Sequence, residues 1–190
     1  MRTFVHLALL LGTIAAPLSA QQKVDVRRAV TRDVYVRVNG AFASLKVTGW
    51  QKDSLVLTGT LPKEARLEGG VGGASTTPST GAKFYIEAPA SATITGNLEL
   101  FVPEGATVWA KSGSANIDVT GISGGLDLNI VGGSITVSGK PRELNIESMD
   151  GDVTVSGAPT WMRAKTASGN ITVRGSCTCL LYTSDAADEL

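Results

Sequence analysis

Histidine is almost missing from this chain. The single one, His6, lies in the N-terminal segment, so the remainder has no imidazole to act as base or ligand. Ser-His-Asp and Cys-His nucleophile systems are thereby excluded from everything that follows it. Cysteine is confined to Cys177 and Cys179, too few for a structural zinc site or a disulfide framework. Aromatic residues make up only 5% of the chain, and Lys and Arg form no run. With 17 basic and 17 acidic residues, the net charge of zero excludes the basic footprint of a nucleic-acid binder. The longest apolar run is N-terminal and too short to cross a bilayer, so no transmembrane segment is predicted. No helix-period segment of useful length follows it. Glycine is abundant instead: 22 of 190 residues, against a usual share of about 7%.

The two ends read differently from the middle. Residues 1–20 have the layout of a secretory signal: Arg2, the apolar stretch Phe4 to Ala16, and small residues up to Ala20. No Cys follows the cut, which argues against a bacterial lipid anchor. An exported chain, destined for periplasm, cell surface or medium, is the expectation. At the other end, Cys179 to Glu189 resembles, over eleven consecutive residues, the in-frame translation of a transposase sequencing adapter. Residues 179–190 are therefore expected to be a non-native tail that matches no preceding strand pattern, with the native chain cut near Thr178 and Cys177 its one remaining cysteine. Both ends are set aside in reading the fold.

The second half carries an internal repeat. Gly121, Gly139, Gly157 and Gly175 are 18 residues apart, as are Val119, Val137, Val155 and Val173. Ile117, Ile135, Val153 and Ile171 keep the same period, and so do Val108, Leu126, Leu144 and Met162. Each copy reads as two short alternating strands separated by glycine-containing turns. Such a unit cannot bury its apolar face alone, so successive copies must stack, each column becoming a ladder through a core. The predicted class is all-β: a β-solenoid with coils of about 18 residues, its alternative an antiparallel β-sandwich of hairpins. Residues 106–178 would hold four coils, and residues 21–105 a more irregular run of strands, with a polar loop from Gly69 to Gly81.

These features resemble the bacterial β-strand-repeat family known as "putative adhesin", a domain of unknown function. The match rests on Val38-Asn39-Gly40, Val47-Thr48-Gly49-Trp50, Val56-Leu57-Thr58-Gly59 and the recurrent Ser-Gly-x-Ile-x-Val-x-Gly, as in Ser168 to Gly175. The resemblance implies a β-solenoid and an envelope location. It supplies no catalytic residues.

Candidate chemistry is sparse. Asp150 and Asp152, with Glu147 nearby, could suggest calcium binding or glycoside cleavage. However, the equivalents of Asp152 are Asn116, Ser134 and Asn170, which makes it one of a polar turn column. No cofactor is implied. The outward column Asp118, Thr136, Thr154 and Thr172 is the candidate binding surface, with Trp109 and Trp161 as candidate sugar-stacking rings. Lys111, Asn129, Glu147 and Lys165 form another outward column, and Met149 and Met162 read as core filler or turn packing. The expected function is a non-catalytic scaffold or adhesin-like surface for envelope glycan or protein. The alternative is a polysaccharide lyase or hydrolase on a β-helix. A last coil without a cap would also leave an open edge for self-association.

Overall fold

The computed structural model describes residues 21–74, 76–90 and 95–184, with side chains through residue 178. The signal segment lies outside the described residues, as do residues 185–190 of the tail. Twelve strands form one mixed sheet: β1 (Gln21–Gly40), β2 (Ser44–Trp50), β3 (Ser54–Pro62), β4 (Arg66–Val71), β5 (Ser79–Glu87), β6 (Asn97–Pro103), β7 (Thr107–Thr120), β8 (Gly125–Gly139), β9 (Glu143–Gly157), β10 (Trp161–Ser168), β11 (Ile171–Gly175) and β12 (Cys179–Ser184). Eleven lie along one path, β12-β10-β9-β8-β7-β2-β6-β3-β1-β5-β4, and β11 pairs β9 beside it.

The repeat governs the register. Strands β7, β8 and β9 pair in parallel with every partner 18 residues away, including Val108 with Leu126 and Leu144, and Ile117 with Ile135 and Val153. β10 and β11 continue the two halves of that ladder. Consecutive copies are thus parallel, which rules out hairpins in this half. The repeated apolar columns are buried through β7, β8 and β9, where Leu128, Ile146, Ile135 and Val153 are fully enclosed, and reach the surface at Val173, which is 37% exposed.

Long strands such as β7 are bent. Ser112 is buried, Gly113 and Ser114 are both exposed, and Ala115 is buried again. On a straight strand, alternation would place Ser112 and Ser114 on one face. The break in phase marks a corner. A chain that rejoins its own register after 18 residues must run out along one segment and back along the other. The outward side chains of the two segments therefore point away from each other, with the core between them. At the ends of the coils, Gly157 has φ 141°, and a Cβ there would fall on the Gly139 carbonyl oxygen. Only glycine lets adjacent coils approach so closely.

The N-terminal half departs from the expected order. Residues 35–39 of β1 pair with β5 on one side and β7 on the other, and β2 lies likewise between β6 and β7. The β1 and β2 strands are thus inserted between β5 and β6 on one side and the repeat on the other. Val36 aligns with Val108 and Leu45 with Ile117, each 72 residues apart, four repeat lengths. Antiparallel pairing appears only toward this end, where β3 joins β1 and β6, and β4 joins β5. The predicted loop from Gly69 is shorter than expected, because β4 runs to Val71 and β5 begins at Ser79. Local alternation cannot reveal this insertion, since pairing partners far apart in sequence decide it.

The tail also departs from expectation. Cys179–Ser184 pairs in parallel with β10, setting Leu180 beside Met162 at the same 18-residue offset. Backbone hydrogen bonding accepts any extended segment at an open edge, so the pairing is indifferent to where that segment came from.

Candidate functional site

The two outward faces carry different chemistry. One is a threonine face. Its central column aligns Lys46, Asp118, Thr136, Thr154 and Thr172, as the repeat predicts. A parallel polar ladder joins Ser44, Asn116, Ser134, Asp152 and Asn170. Ser134 donates to Asn116 at 2.9 Å, and Asp152 accepts from the Asn170 backbone at 2.9 Å. Asp152 thus ties one repeat copy to the next from within β9, not from a turn as the sequence suggests. Among the described residues, no group of three His, Cys, Asp or Glu side chains could hold a metal ion.

The other is a tryptophan face. Arg37, Trp109, Asp127, Asn145 and Arg163 stand in one column. The Arg37 guanidinium lies over the Trp109 ring, 4.5 Å from its centroid, and donates to the Tyr35 hydroxyl at 3.4 Å. That hydrogen bond raises the Arg37 pKa further, so the guanidinium stays charged. Asn129 and Asn145 both donate to Asp127, at 2.7 and 3.2 Å. Arg163 reaches Asn145 and pairs with Glu147 at 2.7 Å. The next column holds Asn39, Lys111, Asn129, Glu147 and Lys165, setting Glu147 beside Lys165 as the period requires.

The structure does not bring the candidate rings and the threonine column together. Trp109 and Trp161 sit on the face opposite Asp118, Thr136, Thr154 and Thr172, because they belong to the other segment of each coil. Trp161 is 40% exposed, whereas Trp109 is half-buried beneath Arg37. Trp50 closes the end of β2, stacked on Phe101 at 5.3 Å with its indole N–H donating to the Ser54 carbonyl at 2.9 Å.

The exposed apolar ridge at the corner between the faces was not anticipated. Met162 is core, as predicted, but Met149 is 60% exposed and Val131 50% exposed. The reading of Met149 as filler or turn packing is corrected. Gly113, Val131, Met149 and Ala167 are 18 residues apart, and the paired register skips each of them where the strand turns. Beside this ridge run two contiguous hollows of about 350 and 290 Å³, sharing Lys111, Ser112 and Val131. The period carried the signal: the ridge repeats as regularly as the core columns, but periodicity does not say which columns point outward at a corner.

No family model matches the chain, and no curated protein matches it. Solved structures do. A putative cell adhesion protein from Clostridium sporogenes superposes with a TM-score of 0.51 at 10% identity, over 85% of this chain and all of that one. A putative adhesin from Parabacteroides distasonis gives 0.45 at 15% identity, over 86% of this chain and 78% of that one. The structural neighbours are thus bacterial putative adhesins and cell adhesion proteins at low sequence identity, and the likeness to the first extends through its whole length.

Proposed function

We propose that this protein is an exported, non-catalytic β-solenoid of the bacterial envelope that acts as a rigid scaffold and adhesin-like binding surface. One observation carries the reading: parallel pairing at a constant 18-residue offset turns single residues into straight columns on both faces. Residues 106–178 supply the regular coils, and residues 21–105 the inserted coil and the antiparallel strands at its end. The fold shared with a putative cell adhesion protein supports the same reading. The signal-like N-terminus supports export. Two carboxylates on these faces serve structural bonds, Asp127 to asparagines and Asp152 to the next coil. Binding of the purified chain to isolated envelopes tests the surface role, and incubation with a panel of polysaccharides tests the absence of catalysis. Saturable envelope binding without new reducing ends is the expected result. Robust cleavage overturns the non-catalytic reading, and failure to bind any envelope fraction overturns the adhesin-like one.

A further inference from the structure

The geometry points to the corner groove as a docking site for a protein segment, one that sets an aliphatic side chain against Val131 and Met149 and a carboxylate near Lys111. This deepens the binding-surface reading and rests on it.

Two observations converge at the groove. Val131 and Met149 are the two most exposed large apolar residues among the described side chains, and they stand side by side in one column. Exposed aliphatic side chains that neighbour each other rather than scatter mark an interaction surface. Methionine is suited to the task because its unbranched chain adapts to a partner. Second, Lys111 lines both hollows and has no ion-pair partner among the described residues, while Glu147 in the same groove is already engaged by Arg163 at 2.7 Å. That cation complements an acidic group on a ligand.

The lining also selects the class of partner. No aromatic ring lines either hollow; Ile130, Val131, Met149 and Ala167 supply the apolar contact. Sugars are held on aromatic faces, and here the aromatic rings stand elsewhere, Trp109 on the tryptophan face and Trp50 at a strand end. Aliphatic contact beside polar groups fits an extended polypeptide. From Asn39 to Lys165 the groove crosses five coils. At about 4.8 Å per coil that is roughly 19 Å, the reach of about six extended residues.

The full-length chain, screened against an array of acetylated hexapeptides, tests the assignment alongside a glycan array. Wild-type protein should select peptides that combine Leu, Ile, Val or Met with Asp or Glu. Met149→Glu should weaken that binding at least tenfold with the melting temperature unchanged, and Val131→Glu should do the same. Lys111→Glu should turn the preference from Asp and Glu toward Lys and Arg, a reversal that a merely structural role would not produce. The assignment is overturned if no peptide is selected, or if selected peptides bind the Met149→Glu protein equally well. Glycan binding without peptide binding also overturns it, while leaving the broader binding-surface reading intact. Glycan binding lost on Met149→Glu would put a sugar in the groove and overturn the choice of partner.

Discussion

At the scale of single residues, the fold depends most on positions with no side chain. Gly157 combines a positive φ with a place where a Cβ would meet the neighbouring carbonyl oxygen. Gly157→Ala should cost at least about 1–3 kcal/mol from backbone strain, before the displacement of Gly139 is counted. A drop in melting temperature checks this, and no drop would mean that the coils have room to separate there. Surface ion pairs behave differently. Arg163 and Glu147 are partly exposed, so Arg163→Ala should change stability by about 0–1 kcal/mol, as read by urea unfolding. The same scale shows what residue type could not reveal. Met149 and Met162 look alike in the sequence, yet one is 60% exposed and the other fully buried. Their places in the 18-residue frame differ by 13, which puts one on a corner and the other in a core column.

At the scale of the element, the unit is a strand segment whose partners lie one repeat away. Ile135 sits between Ile117 and Val153 in the ladder and is fully buried. Ile135→Asp would set an unpaired charge among apolar neighbours on both sides, at a cost of about 4 kcal/mol or more. Loss of the cooperative melting transition at ordinary temperatures is expected, and an unchanged melting temperature would discredit the register. The repeated strands were legible because alternation and period agree across copies. Strand β12 was not legible, since Leu180-Leu181-Tyr182 alternates poorly; its backbone pairs with the edge of β10.

At the scale of the whole molecule, the ends of the stack matter most. β11 pairs only with β9, leaving its outer edge without a neighbour among the described residues, and β12 alone covers β10. A protein comprising residues 21–178 would expose both edges. It should oligomerise or aggregate in light scattering, and a monodisperse monomer would count against the open-edge account.

The sequence by itself determined the period, the identity of the core columns, the glycine positions and the all-β class, because each is written in spacings no longer than one 18-residue repeat. Only the tertiary structure decided the rest. It placed β1 and β2 between β6 and β7, separated Trp109 from Thr136 onto opposite faces, and turned Met149 outward beside Val131. These outcomes depend on which distant backbone completes a ladder and on the direction in which a corner bends. Neither quantity is encoded in alternation, which is blind to everything except the two sides of a single strand.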